Sequence, residues 1–169
     1  MMLTLKSRRL FAAIGLTFCS AAIAAAQTET ELLQRGRYIA TALQGCACHT
    51  RERPDGTKEK EWYWAGAPAQ PPAAGPSATA GWTNPRWKKL YARNITPDPE
   101  TGIGKWTEAD FIRALRTGLT PEGRILDPFM PWGAFQQVTD TDLKALWAYL
   151  RTIAPIKNKV PDSIMAKKK

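Results

Sequence analysis

Three stretches of the chain carry apolar residues at helical spacing, each bounded by start and stop signals. The first follows Thr28 and Glu31, which have the Thr-x-x-Glu spacing of a capping box. It runs through Leu32, Leu33, Gly36, Tyr38, Ile39 and Leu43 without a proline and closes near Gln44 and Gly45. The second opens at Thr107, whose hydroxyl can cap, with Asp110 three residues on; it puts Phe111, Ile112 and Leu115 on one face and stops at Gly118. The third opens at Thr139, with Asp142 three residues on, spaces Leu143, Leu146, Trp147 and Leu150 as a helix would, and is ended by Pro155. Residues 51–64 are charged and then aromatic, while residues 65–81 are rich in Ala, Pro and Gly with no apolar period. Nothing alternates over a strand's length, so the pattern predicts an all-α domain with long loops.

The N-terminus follows a different pattern. A basic run with Lys6, Arg8 and Arg9 precedes the apolar "LFAAIGLTF" and the small residues "AAIAAAQ", the order of a secretory signal peptide. The expected organisation is a signal over 1–26 and a mature domain over 27–169, with 51–90 a loop insert and 156–169 a C-terminal tail. An uncleaved anchor is the alternative, although the apolar run falls short of the roughly 20 residues that span a bilayer. A lipid on Cys19 would also anchor the chain, but bulky Phe18 stands where a small residue is usual.

Cleavage changes the charge and the cysteine inventory. The leader holds three of the 24 Lys and Arg and none of the 15 Asp and Glu, so the net charge falls from +9 to +6. Cys19 leaves with it, and Cys46 and Cys48 remain as a local pair rather than a disulfide framework. No second hydrophobic segment follows, so no transmembrane segment is expected after cleavage. Export also argues against nucleic acid as a partner, which the basic and aromatic "WTNPRWKKLYAR" would otherwise invite. That stretch is either a solvated cover or a docking surface for an acidic redox partner. The final "AKKK" is a frayed tail, or a weak contact with an anionic membrane surface.

The candidate chemistry lies in "LQGCACHT". His49 is the only histidine, and Met130, in "DPFMPWG", is one of two methionines left after the leader. Imidazole plus thioether is a ligand pair that makes haem iron low-spin and raises its reduction potential. In the usual C-x-x-C-H attachment motif the cysteines are three residues apart. Here Cys46 and Cys48 are two apart, about 200° around a helix instead of about 300°. They cannot both meet their vinyl groups without backbone distortion, although Cys48 keeps the normal relation to His49. The alternatives are a copper or zinc site using Cys46, Cys48, His49 and Met130, and a redox-active thiol pair. Structural zinc usually takes four Cys or His ligands, and blue copper needs a second histidine that this chain lacks.

With "RGRYIATALQGCACHT", "NITPDPETGIGKWTEADFIRALRTG", "FMPWGAF" and "TDTDLKALWAYLRTI" in order over residues 35–153, apart from the loop after His49, the chain resembles the monohaem class I c-type cytochromes, and among them the modules found with periplasmic or membrane-associated dehydrogenases. The resemblance implies a cytochrome c fold with crossing terminal helices around one haem c, where Gly36 and Tyr38 meet Trp147 and Tyr149. It makes His49 the proximal and Met130 the distal metal ligand, and puts Asn94, Thr96 and Trp106 near the propionates. In the family register the first cysteine would fall at Gly45, so Cys46 is displaced and Cys48 is the main thioether.

The function this implies is a periplasmic electron carrier rather than an enzyme. It would take one electron from a dehydrogenase and pass it to an oxidase or another cytochrome. A haem enzyme or gas sensor with a dissociable Met130 is the rival reading. Pro128 and Pro131 bracket the methionine and restrict its loop, which favours a fixed ligand.

Overall fold

The computed structural model describes residues 29–42, 47–51, 57–66 and 86–165. Its helices are α1 over residues 29–41, α2 over Glu108–Thr117 and α3 over Asp140–Arg151. Short 3-10 turns occur at Ala47–His49, Lys60–Trp62 and Trp132–Gln137. The signal region and the first capping pair's Thr28 lie outside the described residues, as do Gly45 and Cys46.

Local chemistry fixes both ends of α2. The Thr107 hydroxyl accepts from the Asp110 N–H at 3.1 Å, and the Asp110 carboxylate accepts the Thr107 N–H at 3.0 Å, a reciprocal capping box. At the other end Gly118 turns left-handed at φ +72° and donates its N–H to the Ala114 carbonyl at 2.9 Å. Thr139 caps α3 through the Asp142 N–H at 3.1 Å, and the helix ends at Arg151, a few residues before Pro155. The expected positions therefore match at each of these ends.

The apolar faces meet in one core. Leu143, Leu146, Trp147 and Leu150 of α3 pack with Phe111 and Leu115 of α2, Ile39 of α1, Trp64 and Ile103. A fully buried Leu of this kind stabilises by about 1.5–3 kcal/mol relative to exposure. Gly36 lies against α3: a Cβ there would fall 2.6 Å from the Ala145 carbonyl carbon and 2.7 Å from Tyr149 Cβ, and closer still to the Ala145 oxygen. Arg35 and Asp142 join the same two helices through an ion pair at 2.8 Å.

The chain is mostly helical but not purely so. β1 (Trp87–Lys89) pairs antiparallel with β2 (Ile164–Met165), with Trp87 opposite Met165 and Lys89 opposite Ile164. Strands of three and two residues are too short to show alternation, which corrects the all-α expectation. The sheet is one of several ties between the segment after α3 and the 86–101 region. Asn158 N–H donates to the Thr101 hydroxyl at 2.9 Å, Tyr91 N–H to Ser163 Oγ at 3.2 Å, and Tyr91 packs with Val160. No helix among the described residues is long and apolar enough to cross a membrane.

Candidate haem site

His49 ends the Ala47–His49 turn and is anchored on both sides. Its carbonyl accepts the Gly66 N–H at 2.8 Å, and its ring Nδ1 lies 2.7 Å from the Arg93 carbonyl oxygen. A carbonyl only accepts, so Nδ1 carries the proton and Nε2 carries the lone pair. Burial, followed by the charge of Arg124, holds the imidazole pKa below its ordinary 6.5, while the Arg93 carbonyl pulls the other way. The ring is therefore neutral at pH 7, with one nitrogen oriented by protein and the other ready to ligate. A backbone acceptor on Nδ1 is the usual outer partner of a metal-bound histidine. Cys48, the preceding residue, is an exposed free thiol.

Met130 is half-buried and packs against the core, as do Trp106 and Ile95. Its N–H donates to the Asp127 carbonyl at 3.0 Å and its carbonyl accepts the Trp132 N–H at 2.7 Å, so the backbone is held on both sides of the thioether. Ahead of it a hairpin brings Leu119 opposite Ile125, closed by the Thr120 N–H on the Arg124 carbonyl at 2.9 Å. Arg124 belongs to this hairpin, and its charge disfavours protonation of the imidazole.

Asn94 and Thr96 are 3% and 0% exposed and serve the loop itself. The Asn94 amide donates to Thr101 Oγ1 at 3.1 Å and the Ile156 carbonyl at 2.7 Å. Its oxygen accepts from the Thr96 N–H at 2.9 Å and is 2.8 Å from the Thr96 hydroxyl. Trp106 gives its indole N–H to the Glu122 carboxylate at 2.7 Å, tying the loop before α2 to the hairpin that leads to Met130. Sequence reasoning missed Glu122, Arg124 and the Arg93 carbonyl. A backbone acceptor leaves no residue-type signal, and two more charges in a basic chain do not stand out.

No family model matches the chain. It is 36% identical over 136 residues to a subunit of nicotinate dehydrogenase from Pseudomonas putida, covering 79% of this chain and 10% of that one. It is 35% identical over 158 residues to the alcohol dehydrogenase (quinone) cytochrome c subunit of Gluconobacter oxydans, covering 91% and 29%. Over 148 residues it is 35% identical to the gluconate 2-dehydrogenase cytochrome c subunit of Pantoea cypripedii, covering 87% and 29%. Its homologues are cytochrome c subunits of dehydrogenases. The chain spans between about a tenth and three tenths of the length of these curated relatives.

The residues present fit the haem c of a cytochrome c subunit. They supply a neutral imidazole with an oriented outer bond, a thiol at the preceding position, and a thioether held at the edge of the core. Leu119 and Ile125 on the hairpin and Phe129 next to Met130 are exposed apolar side chains, at 42%, 72% and 47% exposure. Among the described residues no three His, Cys, Asp or Glu side chains cluster; Cys46, which the copper or zinc alternative uses, lies outside them.

Proposed function

We propose that this chain is a one-electron carrier with a single covalently bound haem c, ligated by His49 and Met130 and joined to Cys48. The observation that carries this reading is the 2.7 Å contact between His49 Nδ1 and the Arg93 carbonyl, which leaves Nε2 as the free lone pair of the only histidine. When bound, haem c supplies the ferric/ferrous couple. The protein's contribution is to hold two ligands, exclude water from the core side and leave no open position for substrate. One histidine supports one haem of this type.

The remaining assignments belong to the same reading. The fold is a cytochrome c fold, with α1 and α3 crossing at Gly36 where a side chain would collide. Trp106 lies on the propionate side of the pocket, where its indole N–H already serves a carboxylate, that of Glu122. Asn94 and Thr96 act there by fixing the loop, since their polar groups are engaged with one another and with Thr101 and Ile156. Cys46 is free or only partly used. Residues 1–26 direct export to the periplasm. There the chain takes electrons from a dehydrogenase, as the names of its relatives suggest, and passes them to an oxidase or another cytochrome.

Replacement of the sulfur ligand tests the assignment. Met130→Ala should abolish the ferric sulfur-to-iron charge-transfer band while leaving the haem covalently attached. If the parent protein has no such band, Met130 is not the ligand.

A further inference from the structure

We propose that Arg116 is the positioning residue that holds Met130 in place for the iron. The inference rests on the assignment of Met130 as ligand and goes beyond it by naming the group that fixes the ligand's loop. Met130 is followed directly by Pro131 and the 3-10 turn Trp132–Gln137. That turn has no side-chain cap of its own; Phe135 packs partly buried against the core, and the polar fixation of its carbonyl end comes from a neighbour.

The neighbour is the last turn of α2. The Arg116 guanidinium donates one nitrogen to the carbonyls of Phe135 and Gln136, both at 2.7 Å. It donates another to the Val138 carbonyl at 2.6 Å and to the Asp140 carboxylate at 2.7 Å. The Gln136 side chain returns a hydrogen bond to the Arg116 carbonyl at 3.1 Å. One planar fork therefore engages three carbonyls at the end of the turn: those of Gln136 and Val138, and that of Phe135, which also accepts the Val138 N–H at 3.1 Å. The start of the turn is seated independently, because the Trp132 ring lies where a Cβ on Gly118 would be, 2.8–3.1 Å away.

Both ends of the Trp132–Gln137 turn thus rest on two residues of one helix end. The Met130 carbonyl is bonded into the same unit through Trp132 N–H at 2.7 Å. A shift of this turn moves the thioether with it. Lysine cannot replace the fork, because an ammonium is a point donor that does not span three carbonyls on two nitrogens.

The test uses the haem-loaded chain with Arg116→Lys, Arg116→Gln and two controls. Arg113→Gln removes an arginine from the same helix whose ion pair is only the local one with Asp110. Asp140→Asn keeps the three carbonyl bonds and removes the carboxylate charge. Both Arg116 variants should lose most of the ferric charge-transfer band. Carbon monoxide should bind their ferrous forms at least about tenfold faster, as loss of one or more charged hydrogen bonds would allow. The two controls should keep the band and bind carbon monoxide within about twofold of the parent.

If the Arg116 variants lose thermal stability but keep band and rate, Arg116 is merely structural and the inference is wrong. If Asp140→Asn reproduces their effect, the charge at the start of α3 is responsible and the inference is again wrong. A parent without the band overturns the Met130 assignment and this inference together, which separates that failure from the first two.

Discussion

Replacing Gly36 by alanine sets two effects of known sign against each other. In an exposed helix interior the change would stabilise by about 1 kcal/mol, because alanine loses less backbone entropy. Here the new Cβ would stand 2.6 Å from the Ala145 carbonyl carbon and 2.7 Å from Tyr149 Cβ. Carbon contacts settle near 3.5–4.0 Å, so α1 and α3 must part by about 1 Å. The nearest obstacles are backbone, which cannot rotate away. Parting also disturbs the Arg35–Asp142 pair and the edge-to-face contact of Tyr149 with Trp64 at 5.6 Å. Overpacking of this kind costs about 1–3 kcal/mol, and a lost aromatic contact adds up to about 1 kcal/mol. Set against the propensity gain, these costs leave a net loss of up to about 3 kcal/mol, centred on about 1.5 kcal/mol. Guanidinium unfolding of the haem-loaded protein, followed by far-ultraviolet circular dichroism and Soret absorbance, measures it. Gly133→Ala, where nothing lies within 4 Å of the new atom, serves as the control and should be close to neutral. A Gly36→Ala protein more stable than the parent would refute the close approach of the two helices.

Other perturbations follow from named groups. The Thr101 hydroxyl, with the N–H groups of Thr101 and Glu100, holds the Asp98 carboxyl below its ordinary 3.8, so this residue stabilises the fold above that value and the contribution fades as pH falls through the lower folded value. Asp98→Asn should therefore lower stability at about pH 7 and reduce the further loss on going to about pH 3; unchanged stability at neutral pH would contradict this. Cys48→Ala should release haem under denaturing conditions while Cys46→Ala retains it, and the parent's pyridine haemochrome band should lie to the red of a doubly attached haem. The reverse pattern of release would show that the register counted from Gly36 is wrong. Electron transfer with the natural partner should slow as salt rises, given the charge of +6 over residues 27–169, and a rate that ignores ionic strength would exclude steering by a basic face.

What was legible in the sequence was local. Thr107 with Asp110, Thr139 with Asp142, and Gly118 each announce a helix end because the cap and its partner are within a few residues. The core faces of α2 and α3 follow from a 3.6-residue period for the same reason. Contacts distant in sequence were not legible. The β1–β2 pair joins two very short segments far apart in the chain. The Arg116 fork and the Arg93 acceptor work through carbonyl oxygens, which every residue has. At the candidate site, His49 and Met130 stand out in the sequence as residue types made rare by composition, whereas their hydrogen-bond neighbours Arg93 and Trp132 emerge only from the folded backbone. The Trp132–Gln137 turn went unseen because six residues with a proline before them carry no helical period.

The central claim is a single haem held covalently through the Cys48 and His49 segment. Intact mass measured under denaturing conditions, on the chain produced together with cytochrome maturation factors, tests it most directly. One haem per chain that survives unfolding is the expected result, with attachment lost in Cys48→Ala. A chain that carries no covalent haem, or that instead retains zinc or copper in stoichiometric amount, would contradict it.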